Sequence, residues 1–461
     1  MRFNWALARS SAWAACLAIG LLVCALPAPA QDLPVEQQLG PRAAPTSQVQ
    51  VGSLAVLDTT PKFDADSKTA AYLAKVSGAA RQRSDSYFEG GYWLQVIDLA
   101  YGLVVVGLLL GFHVSARIRD WAAERTRSRY GQSLIYVAAY VVIVTVATLP
   151  LTIYESYVRE HSYGLSNQSF AAWATDFGIQ FAVGLVAALI VLPVIYWAIR
   201  RTHETWWIWG ACIVILFSVV ANMIYPVYIA PLTNHYEPLA EGPLKEQILS
   251  LARANGVPAD NVWQFDASRQ SNRISANVAG FLGTTRIALT DNLLKQGTPD
   301  ETLAVLGHEM GHYVMGHVGR GLLLMGLVAF AGFAFLAFGF RVVTDFFGGS
   351  WDVRRVEDIA GLPVLAGLMS IFLFVMTPVT NGITRTMERQ ADIFGLNAIR
   401  KPDAFSTAML KLSSYRKLEP GKWEEAIFYD HPSGSTRIHD AMVWKKEHIR
   451  DVDIRDTVNL P

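Results

Sequence analysis

The chain has 461 residues, of which 52 % are apolar and 17 % charged, with a mean hydropathy of +0.27. So apolar a composition excludes an ordinary water-soluble protein of this length and points to a bilayer. Lys plus Arg equals Asp plus Glu at 39 each, which leaves no basic surplus for nucleic acid, and three cysteines (Cys16, Cys24 and Cys212) provide neither a disulfide framework nor a thiolate metal site.

Residues 1–30 carry Arg2 and Arg9, then an apolar run, then Ala28-Pro29-Ala30 before a polar Gln31. This reads as a bacterial secretory signal with an Ala-x-Ala cleavage site, the other reading being an uncleaved first membrane helix. Residues 31–89 form a polar arm with a mild helical pattern near KTAAYLAKVSGAARQ. Four apolar runs follow within 90–232, at 92–112, 134–153, 177–199 and 206–229, each of the roughly 20 residues a helix needs to cross ~30 Å of hydrocarbon. Trp93, Trp206, Trp207 and Trp209 mark their interfaces. The stretch 233–320 is soluble in character, with a helix over 244–255 and short strands in NVWQFDAS and TRIALT. Two more membrane-length runs, 322–340 and 359–379, lie within 321–384, and 385–461 returns to a mixed, soluble composition.

The chemistry lies in LGHEMGHYVMGH, residues 306–317. On a helix, His308 and His312 share a face and can each turn an imidazole nitrogen to one metal ion, with Glu309 beside it to take a proton from water that the ion acidifies. His-Glu-x-x-His arises by accident in about one chain in a hundred of this length, so context must carry it. Here PDETLAVLG supplies that context, with an acidic helix start after Pro299 and apolar residues at helical spacing. A catalytic zinc site needs a third protein ligand and one open position. Glu388 in ITRTMERQADIFG fits the ligand role, and Asp392, four residues on, can accept the outer N–H of one of the histidines. The metzincin pattern fails, since Val318 stands where its third His would be, and His317 reads as a helix-end residue that is not a ligand. An even number of runs separates the two halves of this site, which lets them meet on one side of a membrane.

Together YESYVREHSYGLSNQSF, YIAPLTNHYEPLAEGPLKEQI, SANVAGFLGTTRIALTDNLL, HEMGHYVMGH, ERQAD and HPSGSTRI make the chain resemble the integral-membrane CAAX prenyl endopeptidases, zinc proteases that trim prenylated peptides. The resemblance implies a mainly α fold: a polytopic membrane helix bundle enclosing a polar chamber, with a zincin-like HExxH metalloprotease domain in two parts, 233–320 and 385–461. Such a chamber would accommodate Gln95, Asp98 and Asn222 within apolar runs. It also implies one zinc ion per chain on His308, His312 and Glu388, Glu309 as general base, and Asp392 in support. Asn277 and His431 are implied to line the site as donors to substrate or oxyanion; the other reading of Asn277 is a strand-end amide capping its own loop, and His431, taken alone, is a loop residue.

The expected partners are a peptide or protein substrate and the lipid bilayer. Arginines cluster at 117–129, 200–201, 341 and 354–355, while the loop between the second and third runs has only Arg159. The positive-inside rule makes the arginine-rich set cytoplasmic and puts the metal domain across a bacterial inner membrane, in the periplasm. A membrane carrier or non-catalytic scaffold with a structural zinc is the alternative; structural zinc closes its fourth position with protein and needs no adjacent Glu309.

Overall fold

The computed structural model describes residues 63–279 and 285–455. The expected signal segment 1–30 and most of the polar arm lie outside these residues. Asp64 caps the first helix, α1 (Ala65–Leu73), by accepting from Ser67 N. The helical pattern expected over 68–82 is interrupted: α1 ends, and α2 (Gly78–Gly111) starts at a glycine with φ of +61°. The first membrane helix thus begins well before its apolar run, because nothing in residues 78–91 breaks a helix.

After α2 come α3 (Val114–Arg125), α4 (Arg129–Ile153), α5 (Phe170–Thr202) and α6 (Trp206–Ile224). Among the described residues, five continuous helical stretches are long and apolar enough to cross a membrane. One of them, Phe170–Leu232, has 63 residues. At ~1.5 Å per residue it is about three bilayer cores long. It breaks at His203, where φ is +46°, and α5 and α6 pack on each other as a hairpin. Five stretches therefore give the six crossings that hydropathy anticipates, α10 (His317–Trp351) and α11 (Leu362–Ile399) being the last two. Large apolar side chains such as Trp93, Val146, Leu216 and Phe338 point outward, as they do toward lipid.

The soluble part carries β1 (Tyr236–Pro238), α7 (Pro243–Ala254), β2 (Val262–Phe265), β3 (Ala276–Ala279) and β4 (Arg286–Thr290). Its sheet runs β1-β2-β4-β3, with β2 and β4 parallel and the outer pairs antiparallel, so β3 is an edge. The two expected strands are β2 and β4; β1 and β3 join them, β3 being no shorter than β2 at four residues. Next come α8 (Asp291–Gln296), α9 (Pro299–Val314), and, after α11, α12 (Pro402–Leu412), α13 (Lys422–Phe428) and α14 (Gly434–Glu447).

Two apolar cores result. One joins α2, α4, α5, α6, α10 and α11 in the membrane; the other packs β2, β4, α7, α9, α12 and α14. The second also takes in Phe63, Ala65 and Leu73, so the end of the arm is part of the soluble core. Ion pairs fasten the two cores together: Arg269 to Asp176 at 3.1 Å, and Arg273 to Glu160 at 2.7 Å. At the far end Arg119 joins Asp352 at 2.6 Å and Asp358 at 2.9 Å, tying the arginine-rich loops to one another.

Candidate metal centre

Helix α9 starts on a capping box, with Thr298 accepting from Glu301 N and Glu301 from Thr298 N, and with Pro299 at its first turn. Its side chains from Glu301 to Gly311 are all buried. Opposite it runs α11, which is uninterrupted from the bilayer to Ile399 and so carries Glu388 and Asp392 out of the membrane on a rigid rod. Small residues set the separation of the two helices. A Cβ added to Gly395 would stand 2.9 Å from the backbone N of His308, one added to Gly311 would stand 3.1 Å from Ala391 Cα, and one added to Gly307 would stand 2.5 Å from Ile399 Cγ1. The backbones meet because no side chains lie between them.

This contact brings the expected ligands together. His308 Nε2 lies 3.1 Å from His312 Nε2 and 3.1 Å from Glu388 Oε2, and His312 Nε2 lies 3.4 Å from Glu388 Oε1. One ligand atom from each of the three residues falls within 4.8 Å of the others. Donors ~2.0–2.1 Å from a tetrahedral ion are roughly 3.3 Å apart, so these edges match the spacing a zinc-sized ion requires. Glu388 Oε2 is buried and lies 3.1 Å from both His308 Nε2 and His431 Nε2, a carboxylate set among imidazoles.

Asp392 stands beside His308, where support for a ligating histidine was expected. Its Oδ1 is 2.7 Å from His308 Nδ1, so that nitrogen keeps its proton and Nε2, facing Glu388, is the one left for a metal ion to take. Burial alone would lower the His308 pKa; the Asp392 carboxylate, helped by Glu388, reverses this and holds it at about 9. Asp392 is itself clamped by Arg437 through Nε at 2.8 Å and a second bond from Nη2. Burial would likewise lower the Arg437 pKa, but Asp392 first, then Glu388 and Glu309, keep it above the ordinary guanidinium value.

His431 comes from a loop between two helix ends. Arg385 of α11 donates to the carbonyls of Glu425, Ala426 and Tyr429 at the end of α13, and Ser433 caps α14 while its N–H donates to Glu425. The loop holds His431 Nε2 3.1 Å from Glu388 Oε2, with Nδ1 2.8 Å from Asp430. Glu309 is buried on the same turn of α9 as His308. Asn277 stands in mid-strand on β3, opposite Ala288 and only partly buried, and β3 packs on α9. Its position is an edge strand rather than a turn.

His317 is outside the ligand triple, as expected, yet it is buried at 3 % exposure and touches His312. Sequence reasoning assigned no part to Arg437, His317 or Gln390. Arg437 lies inside the HPSGSTRI stretch and Gln390 inside ERQAD, so proximity to motif residues was the available signal.

Comparison with known proteins agrees with this architecture. Residues 66–235 match the family model "CAAX prenyl protease N-terminal, five membrane helices" and residues 238–445 match "Peptidase family M48". The chain is 32 % identical to an uncharacterized metalloprotease of Bacillus subtilis, YhfN, over 75 % of this chain and 81 % of that one. It is 26 % identical to the human CAAX prenyl protease 1 homolog over 77 % and 84 %. The fold is similar to the crystal structure of S. mikatae Ste24p, with a TM-score of 0.66 and 22 % identity over 96 % of this chain and 99 % of that chain. The motif, the candidate ligand triple and these matches together establish that the chain belongs to peptidase family M48 and is an integral-membrane metalloendopeptidase.

Proposed function

We propose that the protein is a zinc endopeptidase that cleaves membrane-associated or CAAX-type polypeptides at the border of the bilayer. The observation that carries this reading is the His308, His312 and Glu388 triple, with its third donor at the end of a membrane-spanning helix. Two imidazoles and one carboxylate are the donor set of a catalytic zinc, which when bound supplies a Lewis acid that acidifies water and polarises the scissile carbonyl.

The chain's own residues do the rest. Glu309 takes the proton of the attacking water and returns it to the leaving amine as the C–N bond breaks. His431 and the Asn277 amide supply the polar groups for the oxygen on which negative charge develops. Asp392, held by Arg437, keeps His308 in its ligating tautomer. Among the described residues β3 is the outer strand of the sheet, and a substrate in extended form can join its edge, which would draw the scissile bond past α9.

The test is hydrolysis by the purified full chain of quenched peptides, prenylated and unprenylated, with and without a chelator. Cleavage should disappear with the chelator and return with zinc, and Glu309→Gln should keep metal but lose about 10²-fold or more in rate. Cleavage indifferent to the chelator, or near-normal cleavage by Glu309→Gln with metal present, would overturn the mechanism.

The reading includes a place: a bacterial inner membrane, with the catalytic side in the periplasm. Support comes from the signal-like residues 1–30 and from the arginine-rich loops gathered at the end of the bundle away from the metal centre. Single cysteines at the exposed Ser128 and Ser414, in a background without native cysteines, test it with an impermeant maleimide on cells whose outer membrane is permeabilised. Labelling of Ser414→Cys alone is expected; labelling of Ser128→Cys alone would reverse the orientation.

A further inference from the structure

His317 follows His312 by five positions, which in an unbroken helix is a rotation of about 140° and would point the two rings apart. The helix is broken at Gly316, whose φ is +62°, so α10 begins on a new axis. The His317 ring therefore meets His312 edge-on, with centroids 5.0 Å apart and planes at 75°. Their Nδ1 atoms are 3.1 Å apart, and the other nitrogen of His317, Nε2, is 3.0 Å from Gln390 Oε1 on α11.

Two facing nitrogens share one proton, and Gln390 decides where it lies. An amide oxygen only accepts, so His317 Nε2 carries a hydrogen and its Nδ1 is a bare lone pair. That lone pair accepts from Nδ1–H of His312, which leaves the lone pair of His312 on Nε2, the atom that faces His308 and Glu388. A turned amide would reverse every bond and put a hydrogen on His312 Nε2, where it would block ligation.

We propose that His317 and Gln390 are positioning residues, a neutral relay that fixes His312 in its ligating tautomer as Asp392 fixes His308. The two histidine ligands are then supported differently. His308 leans on a carboxylate already neutralised by Arg437, and His312 leans on an uncharged imidazole and amide, so the second support adds no charge to a buried centre. The relay spans α9, α10 and α11, and ties the metal helix to both membrane helices beside it.

The proposal rests on the metal-site reading above, and the experiment separates the two. Zinc affinity and zinc release from the purified full-length protein are measured by competition with a chromophoric chelator, without substrate. Asn carries Oδ1 where His carries Nδ1, and Leu has nearly the shape of Asn with no acceptor. His317→Leu should weaken zinc binding by about 10- to 100-fold, the range for loss of a ligand's support, and His317→Asn should recover most of it. Gln390→Glu should hold zinc at least as tightly as the parent, and Gln390→Leu less tightly. Equal weakening by Leu and Asn would reduce His317 to a packing residue, and wild-type affinity in both would remove it from the site; either result overturns the relay while leaving the metal site standing. A parent protein that takes up no zinc would overturn the metal-site reading and the relay with it.

Discussion

Helices α9 and α10 are consecutive in the chain and bury themselves in opposite ways. In α9 all eleven residues from Glu301 to Gly311 are buried, two of them glutamates and one a histidine. In α10 the buried residues after His317 form a stripe through Gly326, Gly332, Phe333, Leu336, Gly339 and Phe340, while Leu323, Leu327, Phe338 and Phe346 stay exposed. Lipid is as apolar as the helix it surrounds, so α10 needs only a close-packing seam toward α6 and α11. Helix α9 has no solvent that favours its charges. Each must find a partner, and the geometry of those partners makes the site.

That contrast can be broken most sharply at Glu388, whose carboxylate lies opposite the two imidazoles. Glu388→Ala should all but abolish zinc uptake, whereas Asp392→Ala, which frees His308 but removes no ligand, should weaken it by about 10- to 100-fold. Measured metal content at defined free zinc checks both, and equal retention by the two variants would mean that Glu388 is not a ligand.

Proton competition comes next in size. The metal-free protein favours protonated His308 up to pH about 9, against an ordinary value of 6.5. The stabilisation from that ion pair is complete below 6.5 and fades as pH rises through 9. Zinc needs the neutral imidazole, so through His308 its affinity should climb by about tenfold per pH unit up to 9 and level off above. A flat affinity from pH 7 to 9 would show that Asp392 and Glu388 do not raise the His308 pKa.

The smallest effects compare two glycines. Gly395→Ala forces a Cβ to within 2.9 Å of the His308 backbone, and the α9–α11 contact should lose about 1–3 kcal/mol, read as a lower unfolding temperature together with weaker metal binding. Gly107→Ala on α2 meets nothing within 4 Å and should change stability by no more than about 0.5 kcal/mol. Equal effects would mean that close approach is not what positions His308.

Legibility follows the same division. Hydropathy picked out the apolar runs that form the long helices, and the four-residue spacing of His308 and His312 put both on one helical face, because lipid burial and helical phase are local properties of a segment. The even number of runs between the two halves of the site also allowed Glu388 to reach them. The polar arm was harder: α1 is docked on the soluble core through Phe63, Ala65 and Leu73, a contact that no periodicity announces.

By itself, then, the sequence determined the membrane class and the helix that carries the metalloprotease motif, and singled out Glu388 as the candidate third ligand, through composition and spacing within single segments. Tertiary structure alone decided what holds them. Asp392 reaches His308 across 84 positions and Arg437 reaches Asp392 across 45, while His317 turns to His312 only because Gly316 redirects the chain. These contacts join side chains far apart in sequence or across a change of helix axis, and a polar pair buried in this way leaves no periodic trace, since its partner is chosen by the packing of two helices at their glycines.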